Sequence, residues 1–338
     1  MRRMTPMNFW RNRSVLLTGG CGFLGSYAAE ELVAEGAQVT IVDNLQSGRL
    51  ENIKSVRDRV EFVRADLRYR DVCEKVSAGF EVVLNFAGTA YGLEYSMKHH
   101  GEMLYSNLAI QSHMLEAARV NKVRSFLMVS SSCVYPDEAP IPTPEIDVLT
   151  GLPEPVNEGY GWAKRMAELQ ARYYHAEYGM GIGVCRPFNP YGDHYHWDGD
   201  KSHVLPSLVK RVLDGENPIV VWGTGRQRRN FLHARDTVRL MMMVTERYPC
   251  AKPVNIGYDD DISIAELVSL ICEVSGKRPE VAFDTSRPEG RFRKCADATL
   301  LRKVTDNYQP QVPLREGIAE MVRWYHNSFS RSPQCSRT

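Results

Sequence analysis

Short apolar runs separated by longer stretches of helical spacing dominate the first half of the chain. Residues 15–17, 38–42, 61–63, 82–86, 126–129 and 183–185 read as strands, because each is a brief apolar run close to Gly, Asp or Ser. Between such runs, residues 27–34, 108–120 and 162–178 repeat apolar side chains every three or four positions, the period of a helix with one buried face. Strand and helix in alternation predict an α/β chain built on a Rossmann-type doubly wound parallel sheet. After Arg186 the pattern loosens, which predicts a smaller mixed α/β C-terminal domain on the carboxyl edge of that sheet. Pro and Gly thicken at 136–155 and 187–199, where loops over a site are expected.

Composition narrows the partners. The 338 residues are 43% hydrophobic and 25% charged, and 42 Lys and Arg against 41 Asp and Glu leave a formal charge of +1. No global field holds such a chain to nucleic acid or anionic lipid, so partners are recognised locally. No run nears the ~20 apolar residues of a membrane span, and the basic residues 1–13 lead into no apolar stretch, so a cytoplasmic protein is expected. The 8 cysteines, at 21, 73, 133, 185, 250, 272, 295 and 335, are dispersed and form no C-x-x-C pair. That argues against a metal site and a disulfide framework alike, and for reduced, mostly buried thiols.

TGGCGFLG, residues 18–25, lies where the first strand meets the first helix and places glycines at 19, 22 and 25. Glycine admits the tight turn and lets backbone amides approach a pyrophosphate, while the amino end of the helix adds partial positive charge. Asp43 ends the second strand, about twenty residues on, where a carboxylate accepts hydrogen bonds from the adenosine ribose. Together they predict a dinucleotide site over Gly19, Gly22, Phe23, Leu24, Gly25, Asp43 and Asn44, with Asp66 and Leu67 on the adenine side. The carboxylate opposes the 2′-phosphate of NADP, so the expected cofactor is NAD, with Arg49 just beyond as the cation that would soften the preference. Residues 1–186, with a returning segment near 226–258, are the expected cofactor domain, and residues 187–330 mainly the substrate domain.

Tyr160 and Lys164 are four apart at the start of a helical stretch and share one face. A phenol of ordinary pKa about 10 is a poor base at neutral pH until an adjacent ammonium favours its phenolate. Ser130-Ser131-Ser132-Cys133, earlier and at a strand end, offers hydroxyls to a substrate oxygen. Ser, Tyr and Lys in that order behind a dinucleotide loop predict an enzyme.

With these residues in place the chain resembles the extended short-chain dehydrogenase/reductase family, in its nucleotide-sugar branch. The resemblance runs over nearly the whole chain: TGGCGFLG, Asp43-Asn44-Leu45, Asn85-Phe86-Ala87-Gly88, Asn107, the serine strand end, Tyr160 with Lys164, and Arg186-Pro187-Phe188-Asn189-Pro190-Tyr191-Gly192. It implies that Tyr160 is the acid/base at a sugar hydroxyl, that Lys164 holds the nicotinamide ribose, and that Ser131 supports the developing oxyanion, with Ala87, Asn107, Ser130 and Pro187 also at the cofactor. It further implies redox chemistry at sugar C4. The family's 4,6-dehydratases carry an Asp-Glu pair where this chain has Ser132-Cys133, which disfavours dehydration. The segment Ser131-Ser132-Cys133-Val134-Tyr135-Pro136 is instead similar to that of GDP-fucose synthases and GDP-mannose 3,5-epimerases, as are residues 149–155, 202–206, 221–225 and 229–233.

By that resemblance Cys133 and His203 move protons at the carbons flanking a 4-ketone. The ketone spreads the charge left by a C3 or C5 proton into an enolate, and inversion needs a base on one face and an acid on the other. Cys133 as thiolate and His203 as imidazolium suit those parts near neutral pH. Lys201 is the rival second carrier, since the 3,5-epimerases hold a Lys near this segment. Fucose synthases end in net reduction by NADPH, whereas Asp43 points to NAD. Two phosphates call for cations, and Arg211, Arg226, Arg228, Arg229, Arg287, Arg291 and Arg293 fall in the family's diphosphate segments. Arg229 and Arg287 match best, with Ser132, Asn189, Lys201, Val204, Arg211 and Trp222 as further substrate contacts. The expected protein is thus an NAD-dependent epimerase of a nucleotide-diphosphate sugar, by resemblance a GDP-sugar, acting as a homodimer through helices near 108–120 and 162–178. Three other functions stay open: a C4-epimerase in which Cys133 is idle, a 4-ketosugar 3,5-epimerase/4-reductase, and a non-catalytic dinucleotide sensor, against which the intact Tyr160 and Lys164 stand.

Overall fold

The six apolar runs become β1 (Ser14–Thr18), β2 (Gln38–Asp43), β3 (Val60–Arg64), β4 (Val82–Asn85), β5 (Ser125–Val129) and β6 (Gly181–Pro187) in a computed structural model that describes residues 9–197, 199–287 and 290–329. A seventh strand, Cys250–Ile256, pairs with β6, and the order across the sheet is seventh strand, β6, β5, β4, β1, β2, β3, with every neighbour parallel. Parallel neighbours require crossovers, and the helices in these crossovers cover both faces.

The helices are α1 (Phe23–Ala34), α2 (Arg70–Val76), α3 (Leu93–Lys98), α4 (His100–Val120), α5 (Glu158–Tyr178), α6 (Val204–Asp214), α7 (Ala234–Arg247), α8 (Ile264–Ser275), α9 (Thr299–Val304) and α10 (Leu314–Phe329). Side chains alternate between the faces of a strand. Leu16, Val83 and Phe126 therefore bury against Ile110, Met114 and Ala167 of α4 and α5, while their neighbours Leu17, Leu84 and Leu127 bury against Leu32 of α1 and Met241 of α7. A separate core joins α6, α8 and α10 to the strand Ile219–Trp222, which pairs with Val281–Asp284. Between the halves, Arg228–Arg229 runs antiparallel to Ile262–Ser263 and parallel to Arg293–Lys294. The sheet order turns back between β1 and β4, and a crevice at the carboxyl ends of strands at such a point is where doubly wound folds bind ligands. Seven cysteines are free thiols, and Cys335 lies outside the described residues. No helix among the described residues is long and apolar enough to cross a membrane.

Candidate active site

A cleft of about 620 Å³ opens at the carboxyl ends of the strands and reaches over to α6 and the strand Ile219–Trp222. The expected site residues line it, except Lys201, Arg287 and the further candidate arginines Arg49, Arg226, Arg228, Arg291 and Arg293.

The glycine loop forms its floor. Gly19 has φ +64, and a Cβ there would stand 2.8 Å from the Ala87 nitrogen; one on Gly25 would stand 2.0 Å from the Gly19 carbonyl. No side chain fits, so the backbone itself faces the cleft. Asp43 accepts from the amide of Cys21 at 3.0 Å through Oδ2 and from that of Leu45 at 2.8 Å through Oδ1, tying the loop to the turn after β2. Burial pushes its carboxyl pKa up, against the pull of these amides. Asn107 accepts from the Thr89 amide at 3.0 Å and donates to the Met103 carbonyl at 2.8 Å, which fixes the turn after β4 that carries Ala87. A dinucleotide fits these residues: a cradle that a Cβ would fill, amides at a helix start, and a carboxylate at the end of β2. On the adenine side Leu67 is buried, but the Asp66 carboxylate is already engaged by Arg68 at 2.6 Å.

Above that floor, α5 presents Tyr160 and Lys164. The Lys164 ammonium donates to the Val129 carbonyl at 2.7 Å and lies 5.4 Å from the centre of the Tyr160 ring. Burial pulls its pKa down to about 8. Burial also lifts the Tyr160 phenol above its ordinary range, opposed by a hydrogen bond with Ser131. The Ser131 hydroxyl accepts from the Cys133 amide at 3.1 Å. Ser130, expected at the cofactor, turns its hydroxyl away to Glu168; Glu168 in turn pairs with Arg186 at 2.7 Å, both all but fully buried.

Cys133 and His203 both face the cleft, but their ionisation differs from the expected thiolate and imidazolium. Burial is the chief cause in each case, pushing the thiol up to about 11 and the imidazole down to about 4. At neutral pH the pair is a thiol and a neutral ring. One His203 nitrogen is tied to the backbone of Ala90, whereas Nε2 is buried with no partner among the described residues.

Lys201 does not reach the cleft, because its ammonium is held over the faces of Tyr91 at 4.8 Å and Tyr95 at 5.0 Å. Arg287 stays outside too, with its side chain 58% exposed and its guanidinium over the Trp222 ring at 5.2 Å. Arg211 lines the cleft but pairs with Glu216. Arg228 and Arg293 share Asp261, Arg291 donates to the Ala139 carbonyl, and Arg226 is exposed. Arg229 lines the cleft too, its guanidinium donating to the Arg228 carbonyl at 2.8 Å, and Asn189 is fixed by donating to the Asn230 carbonyl at 2.9 Å. Sequence reasoning missed Glu154, Asn157, Tyr195 and Lys294, which also line the cleft. Glu154 lies inside the family-like stretch 149–155, the one signal that pointed to it.

The profile of the NAD dependent epimerase/dehydratase family matches residues 15–257. A dTDP-4-dehydro-6-deoxy-D-allose reductase of Streptomyces bikiniensis is 30% identical, over 94% of this chain and 98% of its own. The GDP-L-fucose synthase of Escherichia coli K12 is 28% identical, again over 94% and 98%. Among solved structures, the UDP-glucose 4-epimerase of Thermotoga maritima with UDP-glucose superposes with a TM-score of 0.83 at 26% identity, over 93% of this chain and 99% of that one.

Proposed function

Because the chain belongs to the NAD dependent epimerase/dehydratase family, we propose that it is a nucleotide-sugar epimerase working through a transient 4-keto sugar, with inversion at C3, C5 or both by Cys133 and His203. With NAD held over the glycine loop and Asp43, the chemistry supplied at sugar C4 would be reversible hydride transfer. Everything else falls to the chain. Tyr160 holds and moves the proton of the sugar 4-oxygen, Ser131 donates to that oxygen as charge develops on it, and the fixed Lys164 ammonium favours the phenolate. With the ketone in place, neutral His203 accepts a ring proton at Nε2 and the Cys133 thiol delivers one.

The observation that carries this reading is that Cys133 and His203 line the same cleft as Tyr160 and Lys164. The likeness to a GDP-L-fucose synthase supports a GDP-sugar, and Arg229 supports its diphosphate. Residues 187–330, apart from the returning segment 226–258, are the proposed sugar-nucleotide domain. Tyr105 of α4, 65% exposed, and Tyr173 of α5, 59% exposed, support a homodimer across these helices, working in the cytoplasm.

The test is incubation of the NAD-loaded protein with GDP-, UDP-, dTDP- and ADP-sugars, and in a parallel arm with their 4-keto forms and added NADH, in deuterated water, with the label located by NMR. Deuterium at C3 or C5 with no net consumption of NADH is expected. Inversion at C4 with an unlabelled ring overturns the reading in favour of a C4-epimerase. Stoichiometric loss of NADH makes the protein an epimerase/reductase.

A further inference from the structure

Beside Cys133 lies a buried ion pair for which the chemistry above has no use. Glu154, on the loop before α5, accepts from the Lys294 ammonium at 2.6 Å and from the Asn157 side chain at 3.1 Å, both through Oε2. Cys133, Glu154 and Lys294 line the same cleft, and the turn of Cys133 meets the loop of Glu154 over Gly161, where a Cβ would stand 2.8 Å from the Cys133 carbonyl and 2.6 Å from the Pro153 Cβ. Lys294 arrives from the far half of the molecule, placed by the strand Arg293–Lys294 alongside Arg228–Arg229. The two side chains are only 4% and 12% exposed. Desolvating both ions costs more than one pair commonly returns, so the pair is poorly explained by stability alone.

We propose that Glu154 is the positioning residue of Cys133: its carboxylate holds the thiol hydrogen and keeps the sulfur protonated as the proton donor, while Lys294 limits the strength of that hold. The inference rests on the role given to Cys133 above. When the thiol turns into the cleft and delivers its proton, the S–H electron pair stays on sulfur and the enolate pair forms the new C–H bond. The resulting thiolate then stands against a carboxylate in a desolvated place, and a proton from water restores the thiol. Burial already raises the thiol pKa, and the Glu154 charge raises it further while the Lys294 charge lowers it.

Other groups face this pair from every side. Tyr160 and Lys164 of α5 and Tyr195 of the 193–197 segment face the sulfur. Asp137, Arg229 and Arg291 face the carboxylate.

The experiment follows alkylation of Cys133 by iodoacetamide in the NAD-loaded protein as a function of pH, read by peptide mass spectrometry. Glu154→Gln keeps the shape and removes the charge. Its alkylation midpoint is expected to fall by about one unit, so that the rate at mildly alkaline pH rises about tenfold. Lys294→Met is expected to move the midpoint upward. Glu154→Gln combined with Lys294→Met leaves no unpaired buried ion and is expected to return it towards the wild-type value; this double variant carries the test if a single one does not fold. An unchanged midpoint in Glu154→Gln, or a double variant displaced by a full unit, overturns the proposal. The readout is the reactivity of the thiol itself. A shifted midpoint alongside unchanged ring exchange in Cys133→Ser would therefore sink the role of Cys133 and leave the Glu154 contact standing.

Discussion

Tyr160 is reactive only because of its surroundings. Its phenol is lifted by burial, and the hydrogen bond with Ser131 works in the opposite direction. Tyr160→Phe should abolish oxidation at C4 while leaving NAD binding, followed by fluorescence titration, nearly intact. Lys164 ought to set the alkaline limit. Burial has lowered its pKa, so the ammonium is present below about 8 and lost as the pH rises through it. kcat/KM should be level below that point and fall about tenfold per unit above it; a limb that first appears near the ordinary lysine value would refute the depression. Cys133→Ser should keep C4 oxidation yet slow ring-proton exchange by about 10²- to 10⁴-fold, since a serine hydroxyl is a far weaker acid. These residues were legible because their chemistry depends on short spacing: Gly19 to Gly25, Tyr160 to Lys164, Ser131 to Cys133. Glu154 and Lys294 were not, because a pair separated by 140 positions exists only once the chain has folded. Lys201 misled for the converse reason. Nothing local announces that Tyr91 and Tyr95 will capture its charge.

At the scale of elements, β1, β4, β5 and β6 were readable because burial on both faces leaves a plain apolar run. The seventh strand, Cys250–Ile256, was not among them. It carries Lys252 and Pro253 and shifts register between Cys250 and Pro253, and an edge strand tolerates both. Helix starts were read late: at residue 27 for α1, 108 for α4 and 162 for α5, against Phe23, His100 and Glu158. None of the three has a side-chain N-cap, the usual marker of a first turn. α8 does have one, a capping box between Ser263 and Glu266. Ser263→Ala should cost about 1 kcal/mol by urea denaturation. The staple between α5 and β6 is worth more. Arg186→Leu leaves Glu168 buried and unpaired, which should cost about 3–5 kcal/mol in the same assay.

For the molecule as a whole, the Asp43 carboxylate becomes a measurable preference. Cofactor that binds only the folded state raises stability, by about 2.7 kcal/mol at a hundred times Kd. NAD should therefore raise the melting temperature well above what equal NADP achieves, and Asp43→Ala should narrow the gap by removing the repulsion towards the 2′-phosphate. Equal shifts for the two cofactors in the native protein would contradict that role.

The place of the seventh strand also shapes how the protein is made. β6 ends at Pro187, but its outer neighbour begins only at Cys250. Between the two, the ribosome must finish the strand Ile219–Trp222, α6 and α7. At about 5–20 residues per second this takes on the order of ten seconds. During that time the nascent chain carries an apolar strand with open backbone donors and acceptors along one side, a template for pairing with another chain. The hazard lies in the order of synthesis and is absent from the finished enzyme. Chains released before Cys250 should aggregate or recruit holding chaperones, while chains released after Ile256 should have that edge covered.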